Sequence, residues 1–304
     1  MIRYILKRIL QAIPLLLVIS FIVFTLIHLA PYDAIDSQIT SNMSQEEINI
    51  LREQSGLNKP FLIQYVDWLG QILSGNFGHS LVTHNSVGEE ILAKIPNTIS
   101  LVLPAYVTAL IIAIVLGLVA AANKGKWQDK LIDAVASLGI ATPSFWIAMI
   151  FIYVLGYQLN LFPIIGMHTI GKEDDFGDFL SHFIMPYLTL TIVFFAELTR
   201  YVRSSALSQT NEEYVVVQQA FQATKTQIFT RHIIKNVLIP VITQVGMSLP
   251  MLVTGAIITE TVFSWPGVGP YITQATRALD YPIIMAVMLL SATSVSYTHL
   301  TLPT

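Results

Sequence analysis

Few residues in this chain could do covalent chemistry, and none stand where such chemistry would need them. The seven histidines, among them His28, His79, His182 and His232, do not cluster at ligand spacing, and no H-E-x-x-H pair is present to hold zinc. Cysteine is absent, which removes thiol nucleophiles, thiolate metal sites and disulfides. No G-x-S-x-G elbow presents a serine, and no G-x-x-x-x-G-K-[ST] loop cradles a nucleotide. The sequence therefore predicts no catalytic residue, no metal and no cofactor of its own. Ion coupling would need an acid at mid-membrane depth. Glu197 stands three residues before Arg200 and six before Arg203, and the first spacing predicts neutralisation on one helix face rather than a proton relay. Glu260 closes an apolar run and is expected at an interface. What remains is mechanical. The polar segment 208–236 keeps apolar residues at helical spacing, with Val215, Val216, Ala220 and Phe221 in one patch and Ile228, Phe229, Ile233 and Ile234 in another. Two short helices against a membrane face satisfy this pattern, and so does a lever held by a motor supplied by another chain.

The elements that would position such a lever are membrane helices. Of the 304 residues 54% are hydrophobic and only 12% charged, about half the charge of a soluble domain, so the chain is expected to face a lipid bilayer. No block of like charge suggests nucleic acid. Crossing hydrocarbon takes about 20 apolar residues. Six runs approach or reach that: 9–30, 99–122, 131–157 with a kink expected at Thr142-Pro143, 183–205, 237–262 broken by Pro240 and Pro250, and a sixth from Pro282 to Ala292. The first is longer than a cleavable leader's core and reads as a retained anchor. With the N-terminus inside, the inner segments hold Arg3, Lys7, Arg8, Lys124, Lys126, Lys130, Arg200, Arg203, Lys225, Arg231 and Lys235, against Arg52, Lys59, Lys94, Lys172 and Arg277 outside. That asymmetry predicts six helices with both ends cytoplasmic, in a plasma membrane. The outer segment 31–98 is expected to carry two short helices. One opens on a Ser44/Glu47 capping box, with Ile48, Leu51 and Leu57 inward. The other spans 60–73 with Tyr65, Trp68, Leu69 and Ile72. They form either an outer cap or a docking surface.

At this point the residues resemble a family. Glu213-Tyr214-Val215 through Ala220, then Arg231-His232-Ile233 and Asn236-Val237-Leu238-Ile239-Pro240, are similar to the EAA-type coupling loop of ABC importer permeases. The particular resemblance is to the B-type permease subunit of dipeptide and oligopeptide importers. Met1 to Arg8, Gly56-Leu57-Asn58-Lys59-Pro60 with Gln64-Tyr65 and Trp68, Gly75 to Ser80, Pro143-Ser144-Phe145-Trp146, Leu161-Phe162-Pro163 through Gly166, and Glu260 through Gly269 follow in the family's order. The resemblance covers residues 1 to about 293. It implies an all-α, polytopic type I ABC importer permease fold with a core at 99–293 and a cytoplasmic coupling loop at 208–236. It also implies a sister permease subunit, two cytoplasmic ATPase subunits that bind the ATP, and an extracytoplasmic solute-binding protein. On this reading the residues that couple the chain to the ATPase are Glu213, Tyr214, Val215, Ala220, Gln222, Arg231 and His232, with Glu213, Tyr214 and Ala220 on or beside the coupling helix and Arg231 and His232 on the segment that returns to the fifth helix. The substrate would be a di- or oligopeptide, with nickel chelates, glutathione or another small solute as alternatives within the family.

Four departures stand out. Gln218 stands where the family has alanine, and Gln222 where it has glycine. A glutamine in the left-handed turn expected there costs on the order of 1 kcal/mol. Pro31-Tyr32-Asp33 replaces P-G-D. After Thr293 the chain switches to the atypical tail 294–304. The 12 residues from Pro282 to Thr293 make about 18 Å of helix, so the sixth span is expected to be truncated and the chain to assemble poorly.

Overall fold

Pro143 ends a helix because its ring forces the preceding residue out of the helical region. In the computed structural model, which describes residues 2–29, 39, 43–54 and 58–301, Thr142 is extended at φ −94°, ψ 120°. The chain then restarts at Ser144 with the helix axis turned by 95°. The expected kink is thus a break between α5 (Trp127–Ala141) and α6 (Ser144–Phe151). The prolines of the fifth run behave differently. The helix α10 (Ile234–Thr254) runs through both Pro240 and Pro250, and the break falls at Gly255, where φ is +81°. Glycine terminates a helix there by taking the left-handed conformation, whereas helix prolines in a bundle are accommodated by neighbouring groups.

The remaining helices are α1 (Ile2–His28), α2 (Gln45–Gln54), α3 (Phe61–Leu73), α4 (Val87–Ala122), α7 (Phe176–Gln209), α8 (Glu213–Ala220), α9 (Lys225–Gln227), α11 (Ile257–Val262), α12 (Val268–Arg277) and α13 (Tyr281–Thr301). π-helical turns extend α6 over Ile152–Gln158 and join α9 to α10 over Ile228–Ile233. Among the described residues, Val87–Ala122, Phe176–Gln209 and Lys225–Val262 are long and apolar enough to cross a membrane, and the bent pair around Pro143 makes a fourth crossing if taken as one span. Ile13–His28 and Tyr281–Ser296 are shorter apolar helices. The chain is an all-α, polytopic integral membrane protein. The sequence switch at Ser294 does not end the last helix. α13 continues to Thr301, because no glycine or proline interrupts 294–301.

The described residues form two compact units. The first comprises Met1–Asn97, Val253–Ile257 and Gly267–Thr304. In it α1 packs along α13, and Val87 and Ile91 of α4 share a core with Tyr271, Ile272 and Ala275 of α12 and with Ala286 and Val287 of α13. The expected capping box is present. The Glu47 backbone N–H donates to Ser44 Oγ (3.2 Å), and Glu47 Oε2 accepts from the Ser44 N–H (2.8 Å). Those bonds hold the Glu47 carboxyl below its usual range, so this cap is present at neutral pH and is lost as pH falls through the lowered value. Ile48 is buried as expected. The Leu51 side chain, Gly56-Leu57 and Pro31-Tyr32-Asp33 lie outside the described residues. The turn at Gly75–Ser80 is tied down by Asp280, which is buried and accepts from the Ser80 hydroxyl (2.5 Å) and the Leu81 N–H (3.2 Å).

The second unit comprises Thr98–Leu252 and Ile258–Pro266. Its helices approach closely through small residues, as helices in lipid do. A Cβ added at Gly117 of α4 would lie 2.7 Å from Val202 Cγ1 and 3.1 Å from the Arg203 backbone nitrogen of α7. One added at Gly139 would lie 2.7 Å from Ala196 Cβ. Gly117→Ala is therefore expected to cost about 1–3 kcal/mol by overpacking. The check is the thermal midpoint of the purified variant; an unchanged midpoint would show that α4 and α7 can separate freely. Tyrosine hydroxyls pin the same helices. Tyr187 donates to Thr108 Oγ1 (2.9 Å), Tyr106 and Ser248 share a bond of 2.8 Å, and Tyr201 donates to the Pro240 carbonyl (3.2 Å). Glu260 is fully buried within the protein. The chain folds back over it, with the Trp265 N–H donating to its carbonyl (2.8 Å) and Trp265 itself fully buried.

Candidate functional site

The polar loop after α7 folds as the sequence spacing predicts, into two short helices around a tight turn. Glu213 sits in the first turn of α8, where a carboxylate is favoured by the unpaired N–H groups of the helix start. The helix ends at Phe221. Gln222 takes φ +60°, and the Gln222 and Ala223 N–H groups cap the carbonyls of Gln219 (2.9 Å) and Gln218 (3.0 Å). The left-handed position therefore falls on Gln222, as expected. Thr224 then starts α9 with a complete capping box against Gln227.

This geometry makes Gln222 a strained position. Gln222→Gly is expected to stabilise the turn by about 0.5–1 kcal/mol, and Gln222→Val to destabilise it by at least as much, since a β-branched residue tolerates positive φ worst. Amide hydrogen exchange over 221–224 should slow in the first variant and quicken in the second.

Burial divides the predicted site residues into two groups. Val215 is 2% exposed and packs in one core with Ile228, Phe229 and Ile233 of the π-helical turn, Val202 and Ala206 of α7, and Val237 of α10. It anchors α8 to the bundle from the inward side of the coupling segment. Tyr214 is half-buried against the same core, its hydroxyl donating to Gln209 Oε1 (3.0 Å). Glu213, Ala220, Gln222 and Arg231 are exposed, and His232 is half-buried. The apolar patch expected around Val215 splits accordingly. Val216 and Phe221 point outward, joined by Val217, which the sequence spacing did not single out. A cavity of about 440 Å³, bounded among others by Lys124, Leu207, Val215, Lys225 and Phe229, lies behind the loop. α8 is thus held to the helices mainly through Val215 while its outer face stays uncovered.

The end of α7 that carries this loop is fixed from the side. Arg203 donates from Nε to Asp129 Oδ1 (2.6 Å) and from Nη2 to Asp129 Oδ2 (3.0 Å), and the Gly125 N–H donates to Oδ2 (2.8 Å). Arg200 lies 4.0 Å from Asp133. The arginines of α7 therefore look across to α5, not along their own helix to Glu197, which is exposed. The intrahelical pairing expected from the i, i+3 spacing is replaced because α5 and α7 pack side by side. A signal for this anchor lies in the sequence: Asp129 stands just ahead of the apolar run 131–157, beside Lys126 and Lys130, and Arg203 near the end of the run 183–205.

Comparison with known proteins bears on what such a loop serves. The family model described as binding-protein-dependent transport system inner membrane component matches residues 113–301, and its N-terminal companion matches residues 1–102. A Brucella ovis protein named as a peptide permease is 36% identical over 292 residues, covering 95% of this chain and 92% of that one. The oligopeptide transport system permease protein AppB of Bacillus subtilis is 35% identical over 293 residues, covering 96% and 93%. The glutathione transport system permease protein GsiC of Salmonella typhimurium is 31% identical over 290 residues, covering 95% and 92%.

Proposed function

Because the chain belongs to the binding-protein-dependent transport system inner membrane component family, we propose that it is one of two membrane-spanning subunits of an ABC importer for di- and oligopeptides. A sister permease forms the other half of the pathway, two cytoplasmic ATPase subunits drive it, and a solute-binding protein delivers substrate from outside. The observation that carries this reading is the coupling loop: an outward apolar face at Val216, Val217 and Phe221 on a helix whose inward residue, Val215, belongs to the core shared by α7 and α10. Force applied to that face reaches α7 and α10 through the core around Val215. ATP-driven closure of the motor subunits would shift α8, and the ends of α7 and α10 would follow, biasing the bundle between inward- and outward-open states. Glu213, Ala220, Gln222 and Arg231 would lie at or beside the contact. The Lys and Arg distribution favours a cytoplasmic N-terminus, which puts this loop on the side where the ATP is.

The peptide assignment is supported by the names of the relatives at 35–36% identity. The glutathione permease at 31% favours glutathione as the second reading. Co-purification in mild detergent should recover the sister permease and two P-loop ATPases. Proteoliposomes holding the complex and ATP should then take up labelled peptide only when the binding protein is added. Uptake of glutathione but not of peptides would select the second reading. Ion-driven uptake by the chain without any ATPase would overturn both.

A further inference from the structure

The outer segment between α1 and α4 was expected to be an outer cap or a docking surface, yet one of its helices has the wrong surface for water. At 100° per residue all positions of α3 but Ile63 and Gly70, which fall between the second and third, sort into three arcs. Phe61, Tyr65, Trp68 and Ile72 form the first, and its rings meet α1: Phe61 lies 5.8 Å from Phe21, and Tyr65 and Trp68 lie 5.5 and 5.6 Å from Phe24, between ring centroids. Leu62, Val66, Leu69 and Leu73 form the second. It is uncovered at three of its four positions, Leu62 and Val66 each being 63% exposed and Leu73 80%, while Leu69 is half-buried. Gln64, Asp67 and Gln71 form the third. This arc is polar, with Asp67 paired to Lys59 at 2.6 Å and the Gln64 amide donating to the Lys59 carbonyl at 2.8 Å.

Depth decides what covers the second arc. The Tyr65 hydroxyl lies 2.8 Å from Ser20 Oγ and 3.2 Å from the Leu17 carbonyl. Those residues stand about 12–16 Å along the helix from His28, at 1.5 Å per residue. If the apolar run of α1 crosses a hydrocarbon core of about 30 Å, α3 is alongside its far half. At the same depth α1 leaves its own stripe of Leu15, Val18, Ile22 and Leu26 exposed. A helix with one apolar and one polar face, carrying Tyr and Trp, is what a bilayer boundary selects.

We propose that α3 is seated in the bilayer, its Leu62–Val66–Leu73 arc against the acyl chains of the leaflet that surrounds the His28 end of α1, and its Gln64–Asp67–Gln71 arc toward water. Which leaflet this is follows from the topology proposed above; the lipid contact does not depend on it. The chain has no cysteine, so single-cysteine variants need no background removal. Spin labels at Leu62→Cys, Val66→Cys, Leu73→Cys, Gln64→Cys, Asp67→Cys and Gln71→Cys would be read in the full chain, assembled with its partner subunits in lipid nanodiscs. The ratio of oxygen to nickel-chelate collision rates should be higher in the first three than in the last three by roughly tenfold, because hydrocarbon excludes the polar reagent. Equal nickel access on both arcs would show that α3 is in water and overturn the proposal. Shielding of the first arc from both reagents would show that protein covers it, the sister permease or the binding protein, and would overturn it equally. A photoactivatable phospholipid applied to the unsubstituted complex provides the check that needs no variant. It should label Leu62, Val66 or Leu73, and an unlabelled α3 beside a labelled α1 counts against the proposal. Impermeant maleimide at Asp67→Cys reports the side separately: reaction from the cytoplasmic side alone would reverse the topology and leave the lipid contact standing.

Discussion

Phe221→Asp is expected to abolish ATP-driven uptake while leaving the thermal midpoint of the isolated chain unchanged. Phe221 is 78% exposed, and substitutions at such positions shift stability by no more than about 0.5 kcal/mol. Its value must therefore lie in what covers it. Burying a phenylalanine in a partner's groove contributes about 1.5–3 kcal/mol, and central aromatic anchors reach hot-spot values of about 2 kcal/mol or more. Losing that, and placing an unpaired carboxylate in its stead, should weaken ATPase association by roughly thirtyfold or more. The measurement pairs the amount of ATPase subunit that co-purifies with peptide uptake in proteoliposomes. Val215→Ala provides the contrast. That side chain is buried in the core shared with α7 and α10, so its truncation should lower the midpoint, by about 2 kcal/mol of stability, and loosen coupling without removing an interface contact. Wild-type association and uptake in Phe221→Asp would exclude the outer face of α8 as the docking surface.

The contrast between these two residues shows what the sequence could and could not say. Apolar spacing placed two short helices at 208–236, and the turn between them fell on Gln222, because local chemistry governs helix ends and turns. Which face of α8 turns inward is set by the packing of α7 and α10, residues far away in the chain, and the spacing of Val215, Val216 and Phe221 is the same either way. Prolines misled for a related reason. Pro143 breaks its helix and Pro240 and Pro250 do not, because a helix proline is tolerated where neighbours satisfy the freed carbonyls, and neighbours are not visible from local sequence. Charge was legible as a sum and not as pairs. The positive-inside count put Arg200 and Arg203 together, but the nearest acid in sequence, Glu197, is not the one they meet. α3 is the same lesson in a membrane: periodicity placed the helix, but its depth rests on the hydroxyl of Tyr65 reaching Ser20 and Leu17.

The Asp129–Arg203 pair carries the other large effect. Asp129 is 5% exposed at its side chain and Arg203 26%, so removing either partner strands a charge that water cannot fully reach. Arg203→Met or Asp129→Leu alone should cost about 3–5 kcal/mol, a fall in midpoint on the order of 10 °C. Replacing both together should recover most of it, since an apolar pair of similar volume often does as well as a buried ion pair. The exposed Arg200–Asp133 contact, at 4.0 Å with both side chains about half exposed, should contribute well under 1 kcal/mol, so Arg200→Ala is the control. The functional consequence separates the pair's role from stability. Arg203 stands six residues before the end of α7 at Gln209, the helix that hands over to α8. The ion pair ties that end to α5, so it gives the coupling helix a fixed base to work against. The double variant Asp129→Leu/Arg203→Met should therefore regain its midpoint yet couple ATP hydrolysis to uptake less tightly, with more ATP hydrolysed per peptide moved, because apolar contacts slide where a bidentate, three-bond anchor does not. Full recovery of both midpoint and coupling would reduce the pair to packing, and show that α8 is held through Val215 alone.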